Sequence, residues 1–174
     1  APPADAPTNM DWIQLSGERF ASLDLFGIKK PILLYAFQQP EKWRPEDAPP
    51  TGCSLLVPFQ DPENVGAVIR AATALDVSRI ILLAESANPF HPKAVRASAG
   101  AVFTAPLLKG PALAQLPDDL PLIALAAHGR PLAQTRFPKA FYLLTGMEGP
   151  GLPPQWHSDA VSIPMAPGVE SLNA

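Results

Sequence analysis

Cysteine is nearly absent: the 174 residues contain one, Cys53, inside the apolar run CSLLV. A single thiol builds neither a disulfide framework nor a metal site, so Cys53 is either a small core residue or a reactive thiol, and no metal is expected. Charge is sparse too. Lys and Arg number 13 against 16 Asp and Glu, a formal net charge of −3. That excludes a generally basic nucleic-acid binder but leaves room for a local basic face. No apolar run approaches the roughly 18 residues of a membrane span. The first ten residues, APPADAPTNM, carry neither a basic nor an apolar region. No secretory signal is therefore expected, and a cytoplasmic location follows by default. Two phosphate cradles are missing as well. No G-x-G-x-x-G follows the first strand of the main domain and no G-x-x-x-x-G-K-[ST] occurs, which removes the usual loops of dinucleotide and P-loop binding.

Proline, by contrast, is abundant at 23 residues, and 47% of the chain is hydrophobic. The prolines gather in the first fifty residues and at strand-to-loop boundaries, so they mark turns in a packed protein. The length suffices for one core and a small appendage. After a flexible leader, residues 11–50 alternate short apolar pieces (WIQL, FASLDLFG, PILLYAF) with turn signals, and PILLYAF predicts a strand. The Pro-rich, charged connection EKWRPEDAPPTG separates an N-terminal segment, 1–50, from a main domain, 51–174.

In the main domain short apolar runs recur: CSLLVPF (53–59), RIILLA (79–84), PLIALAA (121–127), AFYLLTG (140–146) and AVSIP (160–164). Most are continuous rather than alternating, as in strands covered on both faces, hence a parallel sheet. Val65, Val68, Ile69 and Ala72 follow helical spacing, and 91–98 and 111–116 predict shorter helices. Strands alternating with helices define an open α/β sheet with helices on both faces. Ligands of such sheets sit beyond the carboxyl ends of the strands. The loops at 59–66, 84–93, 127–131, 145–153 and 164–171 therefore matter most.

Three of these loops carry chemistry. In DPENVGAVIRAA (61–72), Asp61 is an N-cap and Pro62 a first helical residue, with Asn64 in the first turn. Gly66 and Arg70 lie one turn apart on one face. Gly inside a helix costs about 1 kcal/mol, so Gly66 serves either close packing or open space above Arg70 for a phosphate or ribose. In LLTGMEGPGLP (143–153), Gly146, Gly149 and Gly151 let backbone wrap closely around a ligand; Glu148 is the loop's one charge, either accepting hydrogen bonds from a ligand or bracing the loop. In VSIPMAPGVESLNA (161–174), the loop Pro164–Gly168 offers no side-chain donor and suits an apolar, backbone-lined pocket. Ser171 and Asn173 either cap a new helix or present a hydroxyl and an amide to a substrate. Outside these loops, Lys93 and Arg96, with His91, form either a solvated helix face or a contact for RNA phosphate. Lys29, Lys30, Lys42 and Arg44 offer a basic edge. Trp43 and Trp156 read as packing residues before base-stacking ones, and His128 as a turn residue.

Taken together and in order, DPENVGAVIRAA, LLTGMEGPGLP and IPMAPGVESLNA resemble the motifs of the SpoU (TrmH-like) family of RNA ribose 2′-O-methyltransferases, within the SPOUT class. NPFHPKAVRASAGAVF (88–103) is similar as well, so the resemblance spans about residues 53–174. It implies a sheet whose C-terminal part forms a deep trefoil knot, S-adenosylmethionine bound among the knot loops, an RNA substrate (ribosomal or transfer) and a homodimer. It implies that Gly146, Ile163 and Leu172 contact the cofactor, that Arg70 is catalytic, and that Asn64, Glu148, Ser171 and Asn173 complete the site. Arginine is essentially always protonated, so Arg70 is expected to bind phosphate or steady the developing alkoxide rather than act as a base. Lys93 and Arg96 are expected to join Arg70 on RNA. Residues 11–50 resemble, more weakly, the end of a ribosomal-protein-like RNA-binding domain. Met147 stands where the family more often has Asn, Ser or Ala. In the family an apolar helix follows the Ser-Leu-Asn motif and packs into knot and dimer, a position beyond Ala174. Two other functions stay open: a non-catalytic RNA-binding protein of this fold, and a knotted RNA base methyltransferase.

Overall fold

The computed structural model describes residues 9–34, 36–46, 50–146, 152–153, 156 and 160–166. The chain divides into two compact units, Ala1–Phe37 and Gln38–Ala174.

In the first unit Ser16 caps helix α1 (Gly17–Leu23), its hydroxyl accepting the Arg19 N–H at 3.4 Å. Asp24 ends the helix. Its carboxylate accepts the N–H groups of Ile28 at 3.1 Å and Lys29 at 2.8 Å, which bends the chain through Gly27 and Lys29, both at positive φ. No residue of α1 is buried. The strand expected over 31–37 does not form at its described positions, 31–34 and 36–37. An apolar run becomes a strand only where a neighbour completes its backbone hydrogen bonds, and this one joins no ladder of the sheet.

The second unit is built on seven strands: β1 (Glu41–Lys42), β2 (Cys53–Val57), β3 (Arg79–Leu82), β4 (Leu107–Lys109), β5 (Leu122–Pro131), β6 (Phe141–Leu144) and β7 (Val161–Ser162). All pairings are parallel, in the order β1-β4-β3-β2-β6-β5-β7. This is the parallel α/β sheet expected from the continuous apolar runs. The division falls ahead of residue 41 because β1 pairs with β4 and the Trp43 ring enters the core. Strands β1 and β4, at two and three residues, are too short to carry a pattern of their own.

Helix α2 (Pro62–Ala74) forms as its sequence dictates. The Asp61 carboxylate accepts the Glu63 N–H at 2.8 Å, Pro62 opens the first turn, and Val65, Ile69 and Ala72 are buried on one stripe. Helix α3 (Pro92–Ala97) follows β3, capped by His91, whose Nδ1 accepts the Lys93 N–H at 3.3 Å. The helix expected over 111–116 is reduced to a single 3-10 turn, Leu113–Gln115, because Pro111 and Pro117 bracket a stretch too short for successive α-helical hydrogen bonds.

Alternation along the strands sorts the core into two layers. Leu55, Val57, Ile80 and Leu82 pack against Val65 and Ile69 of α2 and against Val102. Leu56, Ile81, Tyr142 and Leu144 point the other way, into a cluster with Trp43, Leu113, Leu116, Leu152 and Trp156. The expectation of helices on both faces is met on one face among the described residues. Among the described residues of this unit, α2 and α3 share one layer, and loops and 3-10 turns cover the other.

Candidate functional site

The carboxyl ends of β2, β6, β5 and β7 stand side by side, in that order. From β2 the chain runs through Pro58 and Phe59, both buried, to the Asp61 cap and into α2. Asn64 is partly buried in the first turn of that helix. At about 1.5 Å rise per residue, Arg70 lies about 9 Å further along the helix axis. Its side chain is exposed and makes no hydrogen bond or ion pair among the described residues.

Gly66, on the same face as Arg70, does not leave space for a ligand. A Cβ there would stand 2.3 Å from the Ala94 carbonyl oxygen and 2.7 Å from the Ala97 Cβ. The glycine lets α2 and α3 touch backbone to backbone, so its partner is a second helix. That contact fixes where α3 presents its charges. Lys93 forms an ion pair with Glu63 of α2 at 3.4 Å, with both side chains well exposed; Arg96 is exposed in the last turn. His91 is the cap of this helix rather than part of its solvated face.

Next along the row of strand ends, β6 gives way to Thr145 and Gly146. Thr145 is held to β2, its N–H and hydroxyl both 3.4 Å from the Leu56 carbonyl oxygen. A Cβ on Gly146 would stand at ordinary contact distance, 3.4 Å, from the Leu125 carbonyl oxygen of β5. Strand β5 itself is irregular where His128 and Gly129 lie: Leu125 and Arg130 are both in register with Val161 of β7. Gly129 makes this possible, since a Cβ would sit 2.6 Å from the Ala160 carbonyl oxygen. The Arg130 N–H donates to that same oxygen at 3.0 Å, and the Ser162 hydroxyl donates to the Gly129 carbonyl at 2.9 Å. The sequence signal for this close approach was the His-Gly pair ending an apolar run, read there as a turn. Beyond β7, Ile163 is 46% exposed, and Pro164 and Ala166 are exposed beside a half-buried Met165.

Glu148, Ser171, Leu172 and Asn173 lie outside the described residues. Cys53 opens β2 at the opposite end of the sheet from these loops. Burial pushes its thiol up from the ordinary value, which keeps it protonated at neutral pH and fits a core role over a nucleophilic one. Among the described residues no group of His, Cys, Asp and Glu could hold a metal ion, and no helix is long and apolar enough to cross a membrane.

Motif-bearing loops that leave adjacent carboxyl ends of a parallel sheet define a ligand-binding α/β domain. The chain belongs to the SpoU rRNA Methylase family, whose pattern matches residues 54–174. It is 53% identical over 173 residues, 99% of this chain, to the ribosomal RNA small subunit methyltransferase G 2 of Syntrophobacter fumaroxidans, of which it spans 35%. It is 32% identical over 127 residues, 65% of this chain, to the 23S rRNA (uridine(2479)-2′-O)-methyltransferase of Streptomyces viridochromogenes, of which it spans 44%. Among solved structures it resembles the SpoU methyltransferase AviRb of Streptomyces viridochromogenes in complex with the cofactor AdoMet. That similarity has a TM-score of 0.61 at 30% identity and covers 74% of this chain and 56% of the other. The chain thus spans less than half the length of both sequence relatives.

Proposed function

We propose that the chain transfers a methyl group from S-adenosylmethionine to the ribose 2′-hydroxyl of ribosomal or transfer RNA, acting as a homodimer. The observation that supports this reading is the row of strand ends β2, β6, β5 and β7: the loop to Asn64 leaves β2, Gly146 follows the adjacent β6, and Ile163 follows β7 at the end of the row. Ribose as the acceptor is supported by the 2′-O activity in the name of the 32% identical relative. The cofactor is supported by the AdoMet complex of a structural neighbour.

The residues present fit such a cofactor. Gly146 is bare, Ile163 is exposed and apolar, and the bulge at Gly129 brings backbone between them, so a thioether and an aromatic ring meet main chain and methyl groups instead of charge. Gly146, Ile163 and Leu172 hold it. When bound, it supplies an already activated methyl group, so the protein has to orient the ribose and provide a route for one proton. Asn64, Glu148, Ser171 and Asn173 position the hydroxyl. Arg70 binds the adjoining phosphate or steadies the alkoxide, and Lys93 and Arg96 extend the phosphate contact.

The knot is part of this proposal. Its support is the path of the chain: after β5 it returns as β6 between β2 and β5, then crosses to β7 on the far side of β5. In the same reading the methyltransferase domain expected over 51–174 also takes in β1 and Trp43, and the residues ahead of Gln38 are the remnant of a ribosomal-protein-like RNA-binding domain.

The test is transfer of labelled methyl from S-adenosylmethionine to total RNA by the chain and by Arg70→Ala. The variant is expected to lose at least about 100-fold in rate while binding the cofactor as before. Full transfer by Arg70→Ala, with unchanged RNA affinity, would remove Arg70 from the site.

A further inference from the structure

Arg70 opens onto a shallow cleft where the stretch 61–72 meets the stretch 88–103, with Thr73 and Thr104 just outside them. It lies between the second half of α2 and the turn after α3, and Arg70, Thr73, Ala74, Ser98, Gly100 and Thr104 contribute to its walls. It is shallow and open to solvent, with a volume of about 430 Å³. The turn keeps it open. Ala99 and Gly100 both adopt positive φ, 50° and 83°, and a Cβ on Gly100 would meet nothing within 4 Å.

The chemistry of the walls is lopsided. The Thr73 hydroxyl donates to the Ile69 carbonyl at 2.8 Å, and the Thr104 hydroxyl to the Ala101 carbonyl at 3.3 Å. Their hydrogens are committed, so both face a ligand as acceptors. Helices α2 and α3 both end here, at Ala74 and Ala97; helix carboxyl ends carry partial negative charge and disfavour anions. The donors come from the Arg70 guanidinium. A ligand that satisfies both sides needs an anionic group at one end and an amino donor at the other. A free phosphate meets only the first demand. A nucleotide whose base bears an exocyclic amine meets both.

We propose that this cleft holds one nucleotide of the RNA next to the methylated ribose, with its phosphate on Arg70 and the amino group of its base on Thr73 and Thr104. The inference rests on the RNA reading above and adds a preference for an amino-bearing base at that position.

The test compares short fluorescein-labelled oligocytidylate and oligouridylate, two pyrimidines that differ in the exocyclic amine. The chain is expected to bind oligocytidylate on the order of fivefold more tightly, about one hydrogen bond's worth. Ala74→Trp, at an exposed position, fills the cleft and weakens both, erasing the preference. Thr104→Val keeps the shape and erases the preference alone. Melting temperature and S-adenosylmethionine affinity stay unchanged in both variants. Equal binding of the two oligonucleotides by the unmodified chain, or an intact preference in Ala74→Trp, overturns the proposal. So does a variant that binds RNA normally but sediments with altered subunit number, which would make this face a subunit contact. A base preference without methyl transfer to any RNA keeps the cleft and sinks the enzyme reading.

Discussion

The two layers that sandwich the sheet are held together by different means. Between α2 and α3 the fit is set by backbone: Gly66 meets the Ala94 carbonyl with no side chain between them. Local polar groups are also used up there, the buried Ser98 hydroxyl donating to the Val95 carbonyl at 2.9 Å. The opposite layer is filled by bulk. Trp43 and Tyr142 meet edge to face with centroids 5.5 Å apart, and Trp156 joins the same cluster. The indole N–H groups of Trp43 and Trp156 and the Tyr142 hydroxyl find no hydrogen-bond partner among the described residues. A buried polar group left that way costs about 1–3 kcal/mol. The helical layer is therefore precise and intolerant of added atoms, whereas the aromatic layer gains area at the expense of polar satisfaction. The proposed RNA-facing groups, Arg70, Lys93 and Arg96, sit on the precise layer, where their spacing depends on the α2–α3 contact.

Two substitutions sharpen this contrast. Gly66→Val forces a branched side chain onto the Ala94 carbonyl and is expected to cost about 3 kcal/mol of stability, at the upper end of overpacking penalties. Urea unfolding measures it, and a loss under about 1 kcal/mol would mean that the helices separate easily. Tyr142→Phe, by comparison, removes a hydroxyl that has no partner among the described residues. It is expected to leave stability within about 0.5 kcal/mol of the original or raise it slightly. A clear loss in the same experiment would show that the hydroxyl is satisfied and that the two layers are alike.

Much of the second unit was legible in the chain. CSLLV, RIIL and FYLL are continuous apolar runs, and burial on both faces needs that composition. Asp61 and Pro62 announced α2, and Val65, Ile69 and Ala72 fixed its inner stripe. What depends on a partner was not legible. LLK becomes β4 only because β3 and β1 lie beside it, while the richer run at 31–37 joins no ladder. Gly66 was visible as a costly glycine, but which backbone approached it was not. The candidate site divides along the same line. Asn64, Gly146 and Ile163 were named because they fall in ordered motifs at strand ends. Thr73 and Thr104 were missed because the cleft exists only once α2 meets a turn some thirty residues away in the sequence.

The measurement that bears most directly on the whole account is the chemical position of the transferred methyl. Total RNA labelled by the chain with methyl-labelled S-adenosylmethionine is hydrolysed in alkali, which needs a free 2′-hydroxyl to cut each linkage. Methylation on ribose leaves the label in alkali-resistant dinucleotides, and that is the predicted result. Label recovered in mononucleotides would place the methyl on a base and contradict the proposed ribose chemistry. RNA that takes up no label at all would contradict methyl transfer by this chain.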